Sequence, residues 1–327
     1  DLLLLADLPY TMGFESAYEN VGKMRNRGLE ISLKTVNVKT RNFRWESDFN
    51  ISFNRNKILS LTGNQRNLYS FVPLNTNFNN SPLYVAQVGQ PTGMFFGYVF
   101  DGIYQEEDFD QPSPGKYILK DNVPTNGNER SVIQPGDIKY RDLNGDGVVN
   151  TYDQTIIGRG QPLHTGGFNN TFTYKGFSLG IFLSWSYGND VYNANRLFLE
   201  GNTLVATDIN QYKSYENRWT PENRSNKYFR TGGQGPAGYH SSRVLEDGSY
   251  LRLQNLTFGY NFPRKWLKRI YLSSLNLSFT ARNLVTFTGY SGMDPSVSTR
   301  SSILTPSFDY SAYPSAKSFM FSLKTTF

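Results

Sequence analysis

Along most of this chain apolar and polar residues alternate with a period of two. Phe43, Trp45, Phe49, Ile51 and Phe53 share one face, interrupted only by Ser47, while Arg44, Glu46, Asp48, Asn50, Ser52 and Asn54 share the other. Successive side chains of a strand point to opposite faces, so this stretch is a strand with an apolar side and a charged side. The stretch before it sets Leu29, Ile31 and Leu33 against Glu30, Ser32 and Lys34. Later stretches repeat the pattern: Phe168, Phe172 and Tyr174; Leu179, Ile181, Leu183, Trp185 and Tyr187; Leu256, Phe258, Tyr260 and Phe262; Leu275, Leu277, Phe279 and Ala281. The last sets Phe319, Phe321, Leu323 and Phe327 against Ser318, Met320, Ser322, Lys324 and Thr326. The pattern predicts an all-β chain with seven such strands.

The connections carry a second rhythm. Val38 to Arg41 and Lys175-Gly176 are tight, and Phe262 to Ile270 is short and basic. Between them lie long stretches over about 57–161, 188–248 and 285–314. Short and long links alternate in the same way between the periplasmic turns and extracellular loops of outer-membrane barrels. Lipid satisfies no backbone group, so strands cross a bilayer only as a closed barrel. A soluble β-sandwich also alternates, but charged polar faces and aromatics near strand ends favour the antiparallel transmembrane β-barrel. Seven strands do not close such a barrel, so the remaining strands come from elsewhere in the protein. With the last strand running toward the periplasm, the first does too, which places residue 1 in an extracellular loop.

Composition agrees. The chain has 327 residues, 38% hydrophobic and only 18% charged, with 22 Tyr, 24 Phe and no Cys. A soluble enzyme of this size normally carries more charge. Mean hydropathy is −0.50, which a barrel tolerates because alternation hides its apolar band. Leu2-Leu3-Leu4-Leu5 is far short of the ~20 apolar residues of a membrane helix. The net charge of +6 has no basic run behind it. Its densest cluster, Arg264-Lys265-Trp266-Leu267-Lys268-Arg269, reads as an interfacial turn and not as a nucleic-acid surface. No signal peptide opens the chain, so an exported protein is expected to be present here as a fragment.

Several segments, in order, resemble one family. They are Asn20 to Glu30, Val88 to Tyr98 with Asp101-Gly102-Ile103-Tyr104, and Pro135 to Asp142 leading into Asn144-Gly145-Asp146-Gly147. Arg218 to Asn223, Leu251 to Leu256, Arg282-Asn283-Leu284 and Tyr290 to Pro295 continue the series. Together they are similar to SusC/RagA-type TonB-dependent outer-membrane transporters. The resemblance implies a barrel of about 22 strands, of which this chain is the last seven. It implies import of oligosaccharides or peptides, with a SusD-type surface lipoprotein as lid and outer-membrane lipid around the wall. The plug and the TonB box belong to an N-terminal part absent from this chain. No enzymatic activity and no nucleic acid are expected.

One motif carries metal chemistry. Asp142-Leu143-Asn144-Gly145-Asp146-Gly147-Val148-Val149-Asn150-Thr151-Tyr152-Asp153 places side-chain oxygens at positions 1, 3, 5, 9 and 12 of a calcium loop. Gly147 stands where such a loop turns sharply, and Val148 would offer its carbonyl. Hence Asp142, Asn144, Asp146, Val148, Asn150 and Asp153 are the candidate ligands of a structural Ca2+, pinning the long connection over 57–161. The spacing resembles dockerin loops, so a calcium-dependent β-rich surface or adhesion module is the rival reading. A solvated Asp/Asn/Gly turn without metal is the plainer one.

Little else suggests chemistry. His164 and His240 are far apart without Cys, which gives no support to a zinc site or a Ser-His-Asp triad. Glu200 and Asp208 read as ordinary loop carboxylates, and 208–218 as a short helix. Tyr104, Tyr212, Tyr215, Tyr228 and Tyr239 either contact substrate and lid or pack the loops together.

Overall fold

Eight antiparallel strands form one wall, each paired with the next in chain order. They are β1 (Leu2–Asp7), β2 (Ser16–Lys39), β3 (Phe43–Leu61) and β4 (His164–Tyr174), then β5 (Phe177–Tyr187), β6 (Tyr250–Asn261), β7 (Ser274–Thr288) and β8 (Ser318–Thr326). The structure is a computed structural model and describes residues 2–7, 16–74, 78, 81–201 and 209–327. Register joins the apolar columns: Leu29 faces Phe53, Phe49 faces Phe168, and Phe279 faces Phe321. A slip of one residue would send every such side chain to the other face, so the alternation itself selects the register.

Three short links close one end of the wall. Thr40 to Asn42 joins β2 to β3, and Lys175-Gly176 joins β4 to β5. Lys175 and Gly176 have φ of 45° and 96°, the positive values that a two-residue hairpin requires. The β6–β7 link holds a short helix, Arg264–Leu267, and a 3-10 turn, Lys268–Ile270.

At the other end the long links are folded. Buried side chains from all three meet in one cluster: Val72, Leu83, Tyr84 and Phe95 from the first, Tyr192, Ala194 and Val244 from the second, and Phe308 from the third. A second cluster unites Tyr98, Ile103, Ile138, Tyr140 and Val149 with Trp219 and Phe229. Short strands stitch the same body together, with Asp190–Asn193 pairing Leu245–Asp247 on one side and Phe308–Asp309 on the other. The main hydrophobic clusters thus lie in this loop body, while the wall exposes its apolar face.

Three expectations change. The wall has eight strands, not seven: Leu2–Asp7 pairs with Ser16–Gly22 on the N-terminal extension of β2 and is not loop, while Asp1 lies outside the described residues. Strand β3 continues to Leu61, so the first long link begins five residues later than 57. The helix expected over 208–218 is a 3-10 turn at Lys213–Asn217, and Asp208 lies outside the described residues.

A membrane wall and its loop body as the candidate functional site

Leu29, Ile31, Leu33, Phe258, Leu277, Phe319, Phe321 and Leu323 are all exposed on one face of the wall, Phe321 by 79%. A soluble monomer rarely shows so continuous an apolar surface; lipid is its natural solvent. Aromatic girdles bound the band. At the loop-body end the His164 ring lies 5.4 Å from Phe53 and 5.1 Å from Tyr187. There the Trp185 indole donates to His164 Nδ1 at 3.1 Å, which ties His164 into the aromatic cluster at this edge. At the short-turn end Phe177 packs on Tyr260 at 4.4 Å, and Tyr260 on Phe262 at 4.8 Å. Trp266, in the β6–β7 link at the same end, is 54% exposed.

Ser47, the one interruption of the apolar run, is explained by its neighbour. Asn170 stands opposite it in the register. Ser47 Oγ donates to Asn170 Oδ1 at 2.7 Å, and the Trp45 indole donates to the same oxygen at 3.0 Å. Asn37 Nδ2 donates to Ser47 Oγ at 2.6 Å. A polar step within the apolar band is thereby closed upon itself. The opposite face of the wall is charged, with Lys34 paired to Asp48 at 3.2 Å and Arg44 to Glu46.

The loop over 142–153 turns as its glycines predict, with φ of 76° at Gly145 and 83° at Gly147. Asp142 accepts the Gly145 and Gly147 amides, both at 2.7 Å. Burial pushes its carboxyl up, and these amides outweigh that and hold it below the usual carboxylate range. Asp146 Oδ1 accepts the Val148 amide, and Asn150 Oδ1 the Tyr152 amide. Asp153 is fully buried. It accepts Leu143 at 2.8 Å and Asn150 at 2.8 Å, one on each oxygen. Val149 anchors the loop in the second cluster, and Thr125 donates its amide to the Gly147 carbonyl. Among the described residues no three His, Cys, Asp or Glu side chains are grouped to hold a metal ion. The Asp142, Asp146, Asn150 and Asp153 contacts to backbone amides order the turn.

Buried ion pairs brace the second link internally and fasten the third link to the wall, and the sequence did not disclose them. Glu200 is no ordinary loop carboxylate: it is 6% exposed and lies between Arg196 at 2.9 Å and Arg243 at 2.7 Å. Arg252 of β6 reaches Asp294 of the third link at 2.6 Å. The loop aromatics divide by role. Tyr104 is fully buried, and Tyr239 stacks on Tyr98 at 4.1 Å, so both pack the body. Tyr212 lines a cleft of 630 Å³ between the second and third links, with Asn195, Asp294, Ser296 and Tyr313.

No protein-family model matches this chain. It is similar along its whole length to TonB-dependent receptor P3 of Formosa agariphila, at 32% identity over 31% of that protein. It also matches TonB-dependent receptor SusC of Bacteroides thetaiotaomicron, at 26% identity over 29% of its length. In three dimensions it aligns throughout with 32% of a chain in the RagAB peptide transporter, at a TM-score of 0.73 and 25% identity. The chain spans about a third of the length of these relatives. The apolar band, the antiparallel register and these matches agree: over its whole length this chain is similar to part of the β-barrel of SusC/RagA-type TonB-dependent receptors.

Proposed function

We propose that this chain supplies wall and outer loops to an outer-membrane importer of oligosaccharides or peptides. The carrying observation is the two-faced wall, with short turns at one end and a folded loop body at the other. The loop body faces the cell exterior, where the 630 Å³ cleft beside Tyr212 and a SusD-type lipoprotein lid meet incoming solute. Import is driven through TonB by the part of the protein that carries the plug. The peptide class is supported by the name of one relative, the RagAB peptide transporter, and the oligosaccharide class by the resemblance of the sequence segments to SusC-type transporters.

Because this chain has no Cys, topology is testable by single cysteines placed in it within the full-length protein, any cysteine of the remainder being replaced first. A cysteine at Tyr152, 82% exposed, should react with an impermeant maleimide on intact cells. One at Lys175 should react only after the outer membrane is permeabilised. The reverse pattern, or a folded protein whose gel mobility does not depend on heating, refutes the reading.

For 142–153 we propose a Ca2+-reinforced turn, with Asp142, Asn144, Asp146, Val148 and Asn150 as ligands and Asp153 completing the set by exchanging a backbone amide for the ion. The oxygen spacing and the Asp142–Gly147 contact support it. Calorimetry on the intact transporter that detects no Ca2+ binding, with Asp146→Ala indistinguishable from wild type, removes it.

A further inference from the structure

Basic residues that look scattered in the sequence converge on the lipid-facing side of the wall. The parity that sends Leu29, Ile31 and Leu33 outward sends Arg27, Arg25 and Lys23 outward too, and on β3 Phe53 is followed on the same face by Arg55 and Lys57. Register sets them side by side: Arg27 opposite Arg55 and Arg25 opposite Lys57, one step beyond the Leu29–Phe53 pair. All five are exposed. None takes part in the ion pairs formed among the described residues.

Their height is marked independently. Phe53 touches His164, and His164 stacks on Tyr187, so the girdle lies directly beneath. Arg55 donates to the Leu163 carbonyl at 2.6 Å, which holds its guanidinium just above that girdle. Two residues along a strand are about 7 Å, and strand tilt in a barrel reduces the vertical rise further. The cations therefore stand at headgroup depth. Like charges placed opposite each other in a sheet repel, and two consecutive such pairs need a counter-charge. Arg55 is also felt by Arg159, whose guanidinium is lowered by burial first and then by Arg55, with Asp190 opposing.

We propose that Arg25, Arg27, Arg55 and Lys57, with Lys23 at the rim, form a binding site for the phosphate-bearing headgroup of an outer-leaflet lipid. The occupant is a lipid because the site is continuous with the apolar band: acyl chains lie on Leu29, Phe53 and Ile51 while phosphates meet the guanidinium groups, which chelate them in bidentate fashion. The inference rests on the proposed outward orientation of the loop body.

The test uses the full-length transporter in phosphatidylcholine nanodiscs doped with bisphosphoryl lipid A or its dephosphorylated form, with retained lipid counted by native mass spectrometry. Wild type should retain the phosphorylated form at least tenfold over the other. The variant R25Q/R27Q/R55Q/K57Q should fall to near parity. Each cation near an anionic surface contributes roughly a fivefold change, so Arg27→Gln alone should lose about that much and serves if the quadruple variant does not fold. Inorganic phosphate should not displace the lipid; displacement would mark a site for free anions and overturn the proposal. So would equal retention of both lipids by wild type, or loss in the variant of lipoprotein binding without any lipid preference. Heat-modifiable mobility and the cysteine labelling report separately on the barrel reading, so a correctly inserted wild type without lipid preference sinks this inference alone.

Discussion

Arg252 and Asp294 join strand β6 to the third loop link through a 2.6 Å ion pair whose side chains are only 8% and 12% exposed. Burial raises the Asp294 carboxyl, but hydrogen bonds from Ser296 and Ser315 and the Arg252 guanidinium outweigh it, leaving the group well below the usual carboxylate range. A depressed carboxylate contributes stability above its unfolded value and loses it only as pH falls through the folded one. The third link should therefore stay docked at pH 4, where ordinary carboxylates are half protonated. Removing one partner of a buried pair costs about 3–5 kcal/mol. Asp294→Ala should accelerate amide exchange over 289–298 at neutral pH, while wild type keeps that segment protected at pH 4. Equal protection in both proteins at neutral pH would deny the pair its docking role.

The polar step in the lipid-facing band gives a second prediction. Asn170 accepts from both Ser47 and Trp45. Asn170→Leu makes the face more apolar yet leaves two donors in lipid without an acceptor, which costs about 1–3 kcal/mol. Ser47→Ala in the same protein should recover part of that loss. The readout is the urea midpoint of unfolding in detergent. Stabilisation by Asn170→Leu alone would show that the network contributes nothing.

How much of this was legible beforehand follows from periodicity. Strands β2 to β8 alternate, so their faces, register and short turns could be read from positions such as Phe43 to Phe53. Strand β1 could not, because Leu2 to Leu5 has no alternation; its pairing depends on how far β2 extends beyond the band. The loop body was illegible for a related reason. Tyr84, Tyr192 and Phe308 are buried together but stand on strands too short to show an alternation, brought together by long-range packing. Glu200 looked ordinary because Arg243, 43 residues away in the chain, supplies its environment. The Lys23-Arg25-Arg27 spacing carried the period-two signal of an outward basic face, but its other half lies across the β2–β3 hairpin, on Arg55 and Lys57.

A third prediction concerns the 142–153 turn. Asp153 is fully buried and closes the turn by accepting Leu143 and Asn150 amides. Asp153→Ala strands those donors, each at about 1–3 kcal/mol, whether or not Ca2+ is present. Limited proteolysis of the full-length protein should cut within 142–153 in the variant, with calcium and with chelator alike. Protection of the variant restored fully by calcium would give the ion, and not the carboxylate's backbone contacts, the main ordering role.

The last prediction concerns acid and the loop body. His240 lies between the first and second links, 2% exposed. Its Nδ1 is 2.9 Å from the Tyr192 hydroxyl, and Phe78 packs on its ring at 5.0 Å. Burial pushes the imidazole down to about 3, a backbone contact from Ser81 opposing only in part. With the folded-state value below the unfolded one near 6.5, the unfolded chain binds the extra proton first. Stability is unaffected above pH 6.5 and then falls by about 1.4 kcal/mol per pH unit until the folded value is reached. The loop body should thus loosen between pH 6 and pH 4 while the Arg252–Asp294 pair remains intact. His240→Gln keeps a polar contact to Tyr192 but cannot take up the proton, so it should flatten that dependence at some cost in packing. Amide exchange across 190–193 and 240–247, followed from pH 7 to pH 4 in both proteins, measures it. Parallel pH profiles in wild type and variant would assign the acid response to other groups.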